Sequence, residues 1–169
     1  MHASLRLLCT FAAASVLLAS LAPVARAEPS AIYLVRHAEK MAEGKDPDLT
    51  PQGRVRARHI AAILRHAGIT AIFSTPTART QQTAAPLAQQ TGLTVRMYDP
   101  MAPKALVEQV RALSGAVVVV GHSNTLPELV RLFGGAPGSD ILDDEFDRLY
   151  QLLPGADGKV GTVLLGTPP

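Results

Sequence analysis

The chain has 169 residues, of which 47% are hydrophobic, 4% aromatic and 18% charged, and its formal net charge is +2. This length suits a single domain, and a nearly neutral chain with so few aromatic residues is not typical of a nucleic-acid-binding protein. The only cysteine, Cys9, lies close to the N-terminus. Residues 10–169 therefore cannot form a disulfide, a thiol nucleophile or a cysteine-ligated zinc site.

The first 27 residues have the pattern of a secretory signal peptide. Arg6 precedes an uncharged apolar run, residues 7–22, and Ala25-Arg26-Ala27 is a typical cleavage sequence. The rival interpretation is a membrane anchor, but the run is shorter than the ~20 residues that a spanning helix needs. We therefore expect an exported domain of residues 28–169, periplasmic or extracellular, with no membrane attachment after cleavage.

The charges of residues 28–169 are balanced in number but unevenly placed. Removal of residues 1–27 leaves 14 Lys/Arg against 14 Asp/Glu, with an excess of four basic residues in 28–98 and of four acidic residues in 99–169. The simpler interpretation is a solvated basic face with acidic surface elsewhere. The functional interpretation is a positive field that attracts anions.

Alternating strand and helix patterns follow along the chain. Short apolar runs rich in valine and isoleucine predict strands, and glycine, proline and threonine mark the helix ends. The predicted strands are 31–35, 71–74, 93–98 and 116–120, with a closing hairpin of 146–153 and 160–165. Helices are predicted from Pro51 to Gly68, from Pro76 to Gly92, over 103–113, and after Thr125, with Pro86 expected to kink or break the second.

This alternation predicts an α/β domain of three layers, α/β/α, around a mostly parallel sheet. The ligand crevice of such a sheet lies at the carboxyl ends of its strands. Arg36 and His37 follow the first strand, Arg79 lies in the first turn of the helix after the second, and His122 follows the fourth. We expect these four side chains to meet at one edge of the sheet.

Two arginines and two histidines have the chemistry that phosphoryl transfer needs. Guanidinium groups bind phosphate oxygens in a fork, and the helix start at residues 77–79 can add backbone N–H donors. A histidine can attack phosphorus, and a second can donate to the oxygens where charge accumulates. Arginine and histidine supply the positive charge, so we expect neither a metal nor a cofactor.

Four segments together resemble the ordered motifs of the histidine phosphatase superfamily, also called phosphoglycerate mutase-like. They are "VRHAEK", "LTPQGRVRA", "FSTPTARTQQTA" and "VVVVGHSNT", and they extend over residues 31–125. The resemblance implies that His37 is the nucleophile that becomes phosphohistidine. It also implies that Arg36, Arg79 and His122 bind the substrate phosphate.

The sequence departs from the family pattern at two places. Ala38 stands where the family usually has glycine after Arg-His. The general acid is not in a clear motif: Asp99, soon after the third strand, is the main candidate, and Glu39 is the weaker one. An Asp before proline is also often only a turn residue.

The sequence thus predicts a metal-independent phosphomonoesterase, of the histidine acid phosphatase type, acting on a phosphorylated small molecule or phosphoprotein. A mutase is disfavoured because no long insertion can form a lid over the pocket. The alternative is an exported anion- or phosphoester-binding module with the same pocket and little turnover. Specificity is expected to come from loops 39–48, 99–104 and 134–145.

Overall fold

The computed structural model describes residues 28–169. The predicted signal peptide, residues 1–27, lies outside the described residues. Ten elements follow in chain order: β1 Pro29–Arg36, α1 Pro51–Leu64, β2 Ile69–Ser74, α2 Ala78–Thr91, β3 Val95–Met97, α3 Pro103–Arg111, β4 Gly115–Gly121, α4 Leu126–Leu132, β5 Arg148–Pro154 and β6 Val160–Gly166.

The six strands form one mixed sheet in the order β3-β2-β4-β1-β5-β6. Strands β1 to β4 are mutually parallel, whereas β5 pairs antiparallel with both β1 and β6. The mostly parallel sheet and the closing hairpin are therefore confirmed. The sheet order adds that the hairpin pairs with β1, the strand that ends at Arg36.

Helices cover both faces of the sheet, which gives the predicted three layers. On one face, α1 and α2 pack on Tyr33 and Val35 of β1 and on Val118 of β4. On the other face, α3 and α4 pack on Leu34 of β1 and Val119 of β4. Because alternate side chains of a strand point to opposite faces, continuous apolar strands are what this double burial requires.

The predicted helix starts hold better than the predicted ends. Thr50 caps α1 and accepts a hydrogen bond from Gly53 N at 3.0 Å, with proline at the first helical position. The helix ends at Leu64, before Gly68, whose φ of 66° reverses the chain into β2.

Of the kink or break expected at Pro86, the break does not occur. Helix α2 continues through Pro86 to Thr91 and ends at Gly92 in the left-handed conformation. Pro86 provides no N–H for the helix, but Ala84 and Leu87 on either side of it are buried against the sheet. Tertiary packing of these two residues keeps the helix continuous.

Candidate active site

The ends of three adjacent parallel strands bring the predicted residues together. Arg36 of β1 lies beside Gly121 of β4, and Ser74 at the end of β2 lies beside Val120. His37 N donates to Gly121 O at 2.9 Å, so the chain after β1 remains bound to the end of β4. The ring centroids of His37 and His122 are 5.4 Å apart, in an edge-to-face arrangement. We call Arg36, His37, Arg79 and His122 the anion pocket.

The ring of His37 is buried, and one of its nitrogens is held by the backbone. Nδ1 lies 2.8 Å from the carbonyl oxygen of Ala38, and His37 is 3% exposed. A carbonyl oxygen only accepts, so Nδ1 carries the proton in this contact. In the neutral ring, the lone pair is then on Nε2, which is the arrangement that a nitrogen nucleophile needs.

The pKa of His37 is about 4, below its ordinary value, chiefly because burial disfavours the charged ring. The positive charges of Arg36 and Arg79 act in the same direction, and the hydrogen bond to Ala38 opposes them. Burial also lowers the pKa of His122 to about 4, again with help from both arginines. Both rings are therefore neutral in the empty pocket at neutral pH.

Arg36 is fixed by a loop rather than by a carboxylate. Its Nη1 donates to the carbonyl oxygens of Leu142 and Glu145 at 2.7 and 2.8 Å, and its guanidinium lies 4.2 Å from the centre of the Phe146 ring. Burial lowers the pKa of Arg36, although nearby acidic side chains, Asp143 first, oppose this effect. Neutral carbonyls orient the side chain and leave its positive charge uncompensated by direct pairing.

Asp46 binds both the start of α2 and the side chain of Arg79. Both carboxylate oxygens of Asp46 accept from Ala78 N at 3.0 Å, and one lies 3.4 Å from Nη1 of Arg79. Thr77, the N-cap residue, makes no capping hydrogen bond of its own. Asp46 therefore supplies the negative charge that a helix N-terminus favours, and it takes one backbone donor that the sequence had assigned to phosphate.

Two donors of the anion pocket are without a partner. Among residues 28–169, the buried Nε atoms of Arg36 and Arg79 make no hydrogen bond. Buried polar atoms are normally paired, and unpaired guanidinium donors on two sides of one pocket fit a bound oxyanion.

The turn at Ala38 does not need glycine. In the part of the chain that the structure describes, only glycines have positive φ, so Ala38 lies in an ordinary backbone region. Ala38 N donates to Thr83 Oγ1 of α2 at 3.0 Å. The departure from the family's usual glycine therefore introduces no backbone strain.

The two candidates for the general acid lie in different surroundings. Glu39 accepts three hydrogen bonds from Arg56, at 3.0, 3.0 and 2.7 Å, and Arg56 also binds Thr167 O at 2.6 Å. Burial raises the pKa of Glu39, but the hydrogen bonds from Arg56 outweigh this, and the net pKa is lowered. Asp99 is exposed, and its Oδ1 accepts from Met101 N at 2.8 Å in a turn. Within residues 28–169, no hydrogen bond joins either carboxylate to the anion pocket.

Sequence reasoning gave Asp46 and Phe146 no role in the site, and it left Thr75 open between a supporting donor and a cap or turn residue. Thr75 Oγ1 lies 2.9 Å from Nε2 of His122. Asp46 lies in loop 39–48, which was expected to affect specificity, whereas Phe146 was predicted to begin the hairpin strand that in fact starts at Arg148. No local pattern showed that Asp46 would cap α2 or that Phe146 would contact Arg36. Across residues 28–169, no three His, Asp or Glu side chains are grouped so as to hold a metal ion. No helix in that range is long and apolar enough to cross a membrane.

The fold and the pocket define a class of protein: an α/β domain whose parallel strand ends bring histidines and arginines together at one edge of the sheet. The particular family follows from the sequence. The family model described as "Histidine phosphatase superfamily (branch 1)" matches residues 32–102, which include three of the four pocket residues. Residues 32–102 thus match the histidine phosphatase superfamily, and the resemblance is confirmed for the three motifs that lie within this segment. No sequence among the curated proteins matches the chain.

Solved structures share the fold at low sequence identity. Mycobacterial glucosyl-3-phosphoglycerate phosphatase Rv2419c is 15% identical, with a TM-score of 0.61, over 83% of this chain and 99% of its own. The phosphoserine phosphatase of Entamoeba histolytica is 14% identical, with a TM-score of 0.56, over 82% and 96%. A candidate phosphohistidine phosphatase, SixA of Agrobacterium tumefaciens, is 21% identical, with a TM-score of 0.54, over 74% and 92%. These likenesses establish the fold, and phosphatases are prominent among the proteins that share it.

Proposed function

We propose that this protein is a metal-independent phosphomonoesterase that works through a phosphohistidine intermediate on His37. The observation that carries the proposal is the state of His37: a neutral ring whose Nδ1 donates to Ala38 O and whose Nε2 is left with the lone pair. The match of residues 32–102 to the histidine phosphatase superfamily and the unpaired Nε atoms of Arg36 and Arg79 support it.

The reaction has two in-line steps. Nε2 of His37 attacks phosphorus, the bond to the ester oxygen breaks, and the electron pair leaves with that oxygen, which takes a proton from a general acid. Water then attacks the phosphohistidine, the P–N bond breaks, and inorganic phosphate leaves. Arg36, Arg79 and His122 hold the equatorial oxygens throughout, so that catalysis comes from positioning and charge.

Asp99 is the general acid in this proposal, rather than Glu39. The hydrogen bonds from Arg56 keep Glu39 deprotonated and hold it in place, whereas Asp99 makes one hydrogen bond, with a single carboxylate oxygen, in an exposed turn after β3. An acid matters most for a poor leaving group. Asp99→Asn should therefore lower the rate of hydrolysis of alkyl phosphates about a hundredfold, and that of an activated aryl phosphate much less. Equal losses on both substrates, or a larger selective loss in Glu39→Gln, would move the role away from Asp99.

The proposal is tested with a generic aryl phosphate in the presence of excess EDTA. We expect release of the phenol by the wild-type protein and a loss of at least about a thousandfold in His37→Ala, because the covalent route is then closed. His66→Asn, a change at an exposed histidine of α1's C-terminal turn, is the matched control and should retain full activity.

The second candidate is an exported phosphoester-binding module with the same pocket and little turnover. The exposed position of Asp99, without a hydrogen bond to the anion pocket, favours this alternative. The two candidates separate in one comparison: a binder would take up inorganic phosphate or vanadate and release no product from any phosphomonoester.

We further propose export through a signal peptide of residues 1–27, with the mature chain in the periplasm or outside the cell. The A-x-A sequence at residues 25–27 supports this placement. Mass spectrometry of the protein recovered from the exported fraction would test it, because the N-terminus should then be Glu28. The proposed substrate is a phosphorylated small molecule or a phosphoprotein. An activity screen with sugar phosphates, nucleotides and phosphopeptides would distinguish these two classes.

A further inference from the structure

Thr75, between β2 and α2, links His122 to a buried chain of hydroxyl groups. Its side chain is 0% exposed, and its Oγ1 lies 2.9 Å from Nε2 of His122. The same Oγ1 lies 2.9 Å from Oγ1 of Thr80, which is also 0% exposed. Since no solvent reaches the two hydroxyls, their protons must be directed to these partners.

The surroundings of Thr80 determine the direction of each hydrogen bond. Thr80 Oγ1 lies 2.9 Å from the carbonyl oxygens of both Thr75 and Thr77. A carbonyl oxygen can only accept, so Thr80 gives its one proton to these carbonyls. The two lone pairs of Thr80 Oγ1 then accept from the hydroxyls of Thr75 and Thr77, both at 2.9 Å.

Thr75 has then donated its only proton to Thr80. Its other close contact, with Nε2 of His122 at 2.9 Å, is then a hydrogen bond in which His122 donates and Thr75 accepts. The hydroxyl of Thr77 lies farther from Thr75 Oγ1, at 3.4 Å, and gives its proton to Thr80. If Thr75 donated to His122 instead, one of two contacts would lack a proton: the 2.9 Å contact between the hydroxyls of Thr75 and Thr80, or the contact of Thr80 with the two carbonyl oxygens. The neutral His122 ring therefore has its proton on Nε2 and its lone pair on Nδ1.

We propose that Thr75 is a positioning residue that fixes the tautomer of His122, so that Nδ1 is the atom that meets the phosphate. This inference rests on the proposed phosphatase function for its consequence, but its structural part does not. Nδ1 of the neutral ring has no proton to give. A phosphate oxygen can therefore form a hydrogen bond with Nδ1 of His122 only if a proton is added between these two atoms. The phosphate brings this proton, or the ring takes it up from solvent.

The charged groups around the anion pocket favour such a proton when phosphate is bound. Arg36 from β1 and Arg79 from α2 both disfavour the charged His122 ring in the empty pocket. A bound dianion neutralises these charges, and it also attracts a donor at Nδ1. His37, which lies edge-to-face with His122, is neutral and holds its own proton at Ala38 O.

The test reads the protonation of the His122 ring nitrogens directly, by nitrogen NMR of protein labelled in its histidines. In the wild type at pH 7, we expect Nε2 protonated and Nδ1 unprotonated, with Nδ1 becoming protonated on addition of inorganic phosphate. Thr75→Val, which keeps the shape and removes the acceptor, should give a mixture of tautomers. Thr75→Ser, which keeps the hydroxyl, should give the wild-type spectrum.

Kinetics with an aryl phosphate provide the second readout. We expect kcat/KM to fall about tenfold in Thr75→Val and to stay within about threefold of wild type in Thr75→Ser. A wild-type His122 with its proton on Nδ1, or a Thr75→Val spectrum identical to the wild type, would overturn the assignment. If Thr75→Val does not fold, the wild-type and Thr75→Ser spectra still decide the question. The tautomer is read without turnover, so a protein that binds phosphate but has no phosphatase activity would contradict the proposed function alone.

Discussion

At the scale of single residues, His37 and His122 are kept neutral by burial, and this has a cost that depends on pH. Both have a pKa of about 4 in the folded chain, whereas the ordinary value, which the unfolded chain recovers, is 6.5. Between these values the unfolded state binds more protons than the folded state. The free energy of unfolding is therefore greatest above pH 6.5 with respect to these groups, and it decreases as the pH falls towards 4.

We accordingly predict an acid-induced loss of stability that depends on these two rings. Chemical denaturation of the wild-type protein at several pH values between 7 and 4 should give a free energy of unfolding that decreases as the pH is lowered. The double variant His37→Asn, His122→Asn should lose part of this slope, because neither replacement can be protonated. His66→Asn is the control and should keep the wild-type slope. A double variant with an unchanged slope would show that the two histidines are not held neutral.

Residue types and strand ends made much of the site predictable. Apolar runs that stop at Arg36 and before His122 indicated which side chains meet, because parallel strands place their carboxyl ends together. The contact of Asp46 with the start of α2 was not predictable, since the two are 32 residues apart and no local pattern pairs them. The hydrogen bonds that join Thr75 to Thr80 and His122 were not predictable either, because threonine after a strand is usually only a turn or cap residue.

At the scale of elements, α1 packs closely against the turn that follows β1. A Cβ placed on Gly53 would lie 2.2 Å from the carbonyl oxygen of Glu39, a distance that no real Cβ tolerates. The backbone of the turn that follows His37 therefore packs directly against α1 at Gly53, where no side chain larger than that of glycine fits. The motif "LTPQG" contains this glycine, but its role depends on tertiary contact and could not be derived from the sequence.

Gly53→Ala should therefore destabilise the fold and misplace His37. In a helix, alanine is otherwise favoured over glycine by about 1 kcal/mol, so a loss of stability would have to come from the clash. We expect the free energy of unfolding to fall by about 2 kcal/mol, and kcat/KM to fall with it. Gly166→Ala, where nothing lies within 4 Å, is the matched control. A stabilised Gly53→Ala protein would contradict the close packing of α1 on this turn.

The loop before β5 is the second element that builds the site. Arg148 binds the Ser139 carbonyl at 2.7 Å and pairs with the side chain of Glu145. The same loop presents the carbonyls of Leu142 and Glu145 to Arg36. Arg148 therefore organises the segment whose carbonyl oxygens hold Arg36, and within residues 28–169 it makes no hydrogen bond to the anion pocket itself.

Arg148→Ala should weaken phosphate binding without removing any pocket residue. We expect KM for an aryl phosphate, and the dissociation constant for inorganic phosphate, to rise by about tenfold, because Arg36 loses its fixed orientation. Lys159→Ala, which removes an exposed cation from the β5–β6 turn, should leave both unchanged. An unchanged phosphate affinity in Arg148→Ala would show that the loop does not position Arg36.

At the scale of the whole molecule, the hairpin β5–β6 completes the site that the parallel strands begin. Strand β5 pairs with β1, so the loop that precedes it, residues 133–147, passes beside the end of β1 and reaches Arg36. The sequence predicted both the parallel core and the hairpin. It could not predict which strand the hairpin joins, because pairing partners far apart in sequence leave no periodic signal. The acidic excess of residues 99–169 is concentrated in this loop, next to the basic pocket.

The most direct test of the account is the trapping of the phosphoryl group on the enzyme. The protein is mixed with an aryl phosphate, stopped in alkali within milliseconds, digested and analysed by mass spectrometry. We predict a phosphoryl group on His37, stable in alkali and lost in acid, that appears at the rate of the first product release and is absent in His37→Ala. Full turnover with no label on His37, and with activity retained in His37→Ala, would contradict the account.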